Sequence, residues 1–286
     1  MPLPLLRLER EVLARAVGWL GRGAGQDGRV SAQPAVATVD RTRVGVEVVL
    51  LLALTLGQSA VYSVLRIVER LTRAVPLSQQ TSTLNASTTP DRPWLDLAYQ
   101  LANIGFALVP VLLALYLLNL TDRPAAARIG FDLRRPRFDL GTGALLAACI
   151  GIPGLGLYLG ARALGLNTEV QASALTDTWW TIPVLVLSAF QNAALEEVLM
   201  IGFLFTRFRQ LGWQLWAVVG VSAVIRGSYH LYQGFGGFVG NLVMGVVFGL
   251  VYLRWKRVAP LVVAHTLLDV VAFVGYALVA PHVGWL

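Results

Sequence analysis

The chain has 286 residues, 56% of them hydrophobic and only 14% charged, where a soluble domain carries roughly 25% charged residues. That balance excludes an ordinary soluble domain. The net charge of +7 comes almost wholly from arginine, Lys256 being the only lysine, and is read as membrane topology rather than nucleic-acid binding. A single cysteine, Cys149, excludes an intrachain disulfide framework and a cysteine metal site.

Residues 1–43 lack the continuous apolar core and small-residue cleavage site of a secretory signal. Their stretch LPLLRLEREVLARAVGWL instead alternates apolar and charged positions at helical spacing. It is expected either as an amphipathic helix on the cytoplasmic surface or as a basic tail. Apolar runs long enough to cross a bilayer then follow at 44–65, 97–120, 141–161, 179–206, 214–233, 237–253 and 259–280. The fold class is accordingly all-α: a polytopic membrane bundle of about seven transmembrane helices plus an N-terminal amphipathic helix. Three regions are expected: the cytoplasmic segment 1–43, N-terminal transmembrane helices over 44–165, and a core over 179–280. Between the first two spans, residues 73–92 are rich in Ser, Thr and Pro and read as an exposed loop, with an NAS sequon at Asn85. IGFDLRRPRFDL reads as an interfacial segment leading into the third span. GIPGLGLYLG reads as a site of close helix packing. Placing the N-terminus in the cytoplasm puts seventeen basic residues inside and five outside. The expectation is an integral protein of the plasma membrane, with N-terminus cytoplasmic and C-terminus outside.

Glu196 and Glu197 interrupt the fourth span, and a charge at the bilayer centre costs at least about 2.5 kcal/mol. Such residues need partners and mark functional sites. Arg226 and His230 lie four apart on the fifth span, and His265 and Asp269 four apart on the seventh, so each pair shares a helical face. The two glutamates are about 100° apart around their helix and cannot share one direction. One is expected to face the reacting centre and the other a counter-charge. Hydrolysing a peptide bond inside lipid takes a base for water, a proton for the leaving nitrogen and donors for the oxyanion. A carboxylate in low dielectric suits proton shuttling near neutrality, and two histidines and an aspartate can supply the rest. The metalloprotease spacing, two His and a Glu within five residues, is absent. Zinc held by Glu196, His230, His265 and Asp269 from three helices stays open as an alternative to a metal-free site. Asn192 and Asn241 are candidates to orient the site, and equally interhelical hydrogen-bonding residues. Tyr229 and Tyr232 read as packing or an interfacial belt rather than as substrate contacts.

EEVLMIG, RGSYH and HTLLD resemble, in order, spacing and setting, the three motifs EExxxR, FxxxH and HxxxN/D of the CPBP intramembrane proteases, the CAAX prenyl endopeptidase (Rce1-type) family. The resemblance covers about residues 179–274. It implies a helical membrane endopeptidase acting on a membrane protein or peptide substrate in the lipid bilayer, with no nucleic-acid partner. By position it makes Glu196 the base that activates water, sets His230 and His265 at the centre, and gives Asp269 the place that helps orient or stabilise the oxyanion. Two departures stand out: Ile201 replaces the arginine of the first motif, and Arg226 replaces the phenylalanine of the second. The counter-charge of Glu197 is therefore expected to have moved from the fourth span to the fifth. The same buried charges would also serve a transporter or proton relay, and the same fold a non-proteolytic scaffold or immunity-type protein.

Helical rise raises one difficulty. Glu196 lies about 16 Å from Arg207 and His265 about 12 Å from Arg257, whereas His230 lies about 25 Å from Trp213. Straight helices entered at those residues do not bring the three level; tilt or a break near QGFGG is required.

Overall fold

The helices of this chain follow its apolar runs, with a side-chain cap or a proline marking some of their starts. The computed structural model describes residues 40–119 and 124–282. The expected amphipathic stretch, residues 3–20, lies outside the described residues, and helix α1 (Arg41–Ala53) is the first element described. Asp40 caps α1 by accepting from the Thr42 and Arg43 amides at 3.0 and 3.1 Å. The first expected span is not one rod. It breaks at Leu54–Thr55, and α2 (Leu56–Leu71) leaves at 48° to α1. Thr55 Oγ1 bonds back to the Leu51 carbonyl at 2.6 Å, and a Cβ at Gly57 would meet the Leu52 carbonyl oxygen at 2.7 Å. Glycine is what allows the bend to close.

Next come strand β1 (Thr81–Ala86), α3 (Pro93–Leu118), the short α4 (Ala125–Arg128) and α5 (Pro136–Ala163). Prolines open α3 and α5, where a missing amide costs nothing. Strand β2 (Glu169–Ala174) precedes α6 (Thr181–Glu197), which runs through a π-helical turn (Val198–Phe203) into α7 (Leu204–Gln210). The chain ends with α8 (Leu215–His230), α9 (Phe235–Trp255) and α10 (Ala259–Val279).

Among the described residues five helices are long and apolar enough to span a membrane, or six if α1 and α2 form one bent span. The expected count of seven is not confirmed: α8, at 16 residues, is shorter than the other candidate spans. The protein is an integral membrane helical bundle. Its centre is the Thr181–Gln210 run, whose apolar window is 67% buried, against 6% for α5. The outer helices turn Phe106, Leu112, Leu145 and Ile152 outward, as lipid contact demands. Helix α8 packs on α9 and α2, while α10 packs on α5 and α6. A Cβ at Gly245 would approach the Ala223 Cα to 2.9 Å, so α8 and α9 touch backbone to backbone there. The GIPGLGLYLG stretch does not form such a contact along its length. Added Cβ atoms at Gly154, Gly156 and Gly160 would meet nothing within 4 Å, and only Gly151 faces Leu268.

The sheet departs from an all-helical reading. β1 and β2 pair in parallel, with Thr81 opposite Glu169 and Ala86 opposite Ala174. Residues 73–92 are therefore not a wholly exposed loop: Gln80 and Ser82 are buried, and Ser82 Oγ lies 2.8 Å from Thr168 Oγ1. Asn85 of the sequon donates to the Ala172 carbonyl at 2.8 Å, inside the sheet. TSTLNA lacks the apolar alternation that marks a strand from sequence, and EVQASA alternates only with Val and Ala over six residues, a weak signal.

Candidate active site

The two glutamates at the end of α6 meet opposite surroundings. Glu197 is fully buried, and its Oε1 accepts from Arg226 Nη2 at 2.6 Å and lies 2.7 Å from His265 Nδ1. Arg226, itself fully buried, also has its guanidinium 5.5 Å from the centre of the Phe248 ring. Glu196 is 9% exposed and lines a cavity of about 750 Å³. Its Oε2 accepts from the Tyr229 hydroxyl at 2.7 Å, and Arg226 Nη1 stands 4.0 Å away. The roughly 100° between adjacent helical side chains thus separates one carboxylate held among counter-charges from one facing open space.

His230, His265 and Asp269 line the same cavity. His230 Nδ1 lies 3.2 Å from the Arg226 carbonyl one turn earlier, and its ring packs 4.7 Å from that of Tyr229. His265 Nε2 lies 3.7 Å from Asp269 Oδ1, so this ring bridges the buried Glu197 and the cavity-facing Asp269. Asn192 Nδ2 donates to Asp269 Oδ2 at 3.4 Å, which joins α6 to α10 across the site. Asn241 is not brought in. It donates to the Gly237 carbonyl on its own helix at 3.0 Å and does not line the cavity.

The depth difficulty disappears once the true helix entries are known. Arg207 is not at the surface: it is 4% exposed and paired with Glu47 at 2.5 Å, and α7 continues to Gln210. Counted from Gln210, Glu196 lies about 21 Å in, and His230 lies about 22 Å from Leu215, where α8 begins. Helix α10 starts already inside the protein. Val258 is fully buried and its amide donates to the Ile129 carbonyl at 3.0 Å, while Arg257 pairs with Asp139 at 2.6 Å. His265 therefore reaches the cavity in under two turns. No break at QGFGG is needed between Glu196 and His230; Gly234, at φ 118°, turns the chain only after the site.

Tyr229 was legible only as packing, yet its hydroxyl holds Glu196. The signal was available in principle, since a tyrosine hydroxyl buried among apolar helices must find an acceptor. Glu196, Glu197 and His265 present ligand atoms within 4.8 Å of one another, as a metal site would. Glu197 Oε1 is already shared between Arg226 and His265, so a dication there would compete with a guanidinium, while Glu197 Oε2 is buried without a hydrogen-bond partner among the described residues. His230 and Asp269, the other ligands considered, are not in that close group.

A helical membrane protein with a buried, ion-paired carboxylate beside a second one open to a cavity is thereby defined. Within it, residues 178–271 match the family model described as type II CAAX prenyl endopeptidase, Rce1-like. This segment holds EEVLMIG, RGSYH and HTLLD and runs from just before α6 well into α10. No curated protein and no solved structure matches the chain.

Proposed function

We propose that the protein is an intramembrane endopeptidase in which Glu196 activates water for attack on a peptide carbonyl. The observation that carries this reading is the division of labour between Glu196 and Glu197. One carboxylate is placed to work in the cavity, and the other fixes Arg226 and His265 behind it. The match over residues 178–271 supports the same reaction class.

Glu196 takes a proton from water as the oxygen bonds to the carbonyl carbon, and returns it to the amide nitrogen as the C–N bond breaks. Tyr229 fixes one carboxylate oxygen and leaves the other for water. The His265 ring is held between Glu197 at Nδ1 and Asp269 beside Nε2, and with His230 it lines the cavity in which the oxyanion develops. Asp269, tethered by Asn192, orients His265. We assign the reaction to these side chains without a metal. Substrates are membrane proteins or peptides reaching the cavity from the bilayer, and the N-terminus is placed in the cytoplasm.

The test compares the native protein with Glu196→Gln on a synthetic peptide library in detergent or nanodiscs. Cleavage should fall by about a hundredfold or more in the variant. Near-native cleavage by folded Glu196→Gln would remove the assignment, and solute flux without cleavage would favour a transporter.

A further inference from the structure

The cavity is lined by more than the side chains assigned to catalysis. β1 contributes Thr83, Leu84, Asn85 and Ala86 to the lining. Among the described residues, β1 pairs along one edge, with β2, and no strand pairs along the other. The two ends of β1 are closed by side chains from flanking helices: Arg70 donates to the Thr81 carbonyl at 3.1 Å and Gln100 to the Ala86 carbonyl at 3.0 Å. Between them, Thr83–Asn85 faces the cavity, about 10 Å of strand at about 3.3 Å per residue.

The walls around this strand carry carboxamides. Gln58 on α2, Asn103 on α3 and Gln191 on α6 line the cavity and form no hydrogen bond with other described residues. Gln191 is 8% exposed and lies five residues before Glu196. Each carboxamide offers one acceptor and two donors, the same groups a peptide bond needs. An acyl chain would leave the buried Gln191 carboxamide without a partner, whereas Gln58 and Asn103 are exposed.

We propose that β1 is a docking edge for an extended polypeptide segment. The segment adds as a third strand along Thr83–Asn85, with Gln58, Asn103 and Gln191 meeting its outward peptide groups. Its continuation runs to Glu196 in the same cavity. Main-chain pairing supplies affinity with little dependence on side chains, as in other cases of strand addition. The part of this inference that concerns cleavage rests on the endopeptidase reading; the pairing itself does not.

The experiment measures binding to the full-length Glu196→Gln protein, so that turnover does not intervene. The probe is a ten-residue synthetic peptide, chosen from a defined library by cleavage with native protein or, where none is cleaved, by affinity for the variant. A set of its derivatives carries one backbone N-methyl group each. A paired strand points its amides alternately toward and away from its neighbour. Methylation should therefore weaken binding by about tenfold at alternate residues and leave the intervening ones unchanged. Hydrogen exchange at Thr83–Asn85 should slow when peptide is added. The proposal is overturned by losses without a two-residue period, by unchanged exchange at saturating peptide, or by the absence of any bound library peptide. Slowing by phospholipid alone would assign the groove to lipid and overturn it too. Cleavage of peptides that show no alternation removes the strand and keeps the endopeptidase. Alternating binding with no cleavage by native protein does the reverse.

Discussion

Replacing Arg226 with phenylalanine, the residue the family motif carries there, removes a cation 2.6 Å from Glu197 in a place where neither side chain is exposed. At that separation and an effective dielectric of about 20, the Coulomb attraction is about 6 kcal/mol, part of it offset by desolvation. Breaking one half of a buried pair typically costs about 3–5 kcal/mol. Glu197 keeps His265 Nδ1 at 2.7 Å, so the lower end, about 3 kcal/mol, is expected for Arg226→Phe. Glu197→Gln in turn strands Arg226, whose next carboxylate is Glu196 at 4.0 Å. Removing both charges should cost less than the sum of the single changes by about 3 kcal/mol, the coupling of a double-mutant cycle. Reversible unfolding in mixed micelles reads this coupling, and peptide cleavage gives a second readout. Strictly additive losses, or an Arg226→Phe protein as stable as the parent, would refute the reasoning. Restoring the motif arginine with Ile201→Arg in the Arg226→Phe background should recover only part of the loss. In a regular α-helix, residue 201 would lie one turn beyond Glu197. The π-helical Val198–Phe203 turn shifts the repeat to five residues, and Ile201 has no exposed surface to make room.

Tyr229→Phe deletes the hydroxyl 2.7 Å from Glu196 and should lower kcat about tenfold with KM unchanged. A native rate in folded Tyr229→Phe would show that the contact does not position the carboxylate. Chelator-washed protein should keep its cleavage activity, because Glu197 already serves Arg226 and His265. Stoichiometric zinc by elemental analysis, with activity lost on removal and restored on return, would reverse that view. Away from the site, burial pushes the Asp132 carboxyl upward, but the Arg134 amide and the Arg257 guanidinium outweigh it and hold the group below the usual carboxylate range. A depressed folded value means stabilisation that is present above about pH 3.9 and lost as pH falls through the folded value. Asp132→Asn should therefore flatten the acid side of a Tm-against-pH curve, and an unchanged acid slope would show that this contact contributes nothing.

The sequence by itself determined the membrane class, the helical runs and the identity of the charged set. Long apolar segments and the expense of charge in lipid are local properties, readable one segment at a time. Glu196, Glu197, Arg226, His230, His265 and Asp269 were conspicuous for that reason, and their spacing of four on two helices placed each pair on one face. Tertiary structure alone decided what each does. Which glutamate meets Arg226 depends on the rotation of α6 against α8, and the depth of His265 depends on an α10 start anchored to Ile129 rather than at the membrane surface. The strands β1 and β2 are not legible in the sequence because TSTLNA has no period and EVQASA alternates only with small apolar residues, and because each is stabilised by pairing with the other, far away in the chain. Asn241, equal to Asn192 as a sequence candidate, is spent on its own helix, since a carboxamide takes whichever carbonyl the packing puts nearest.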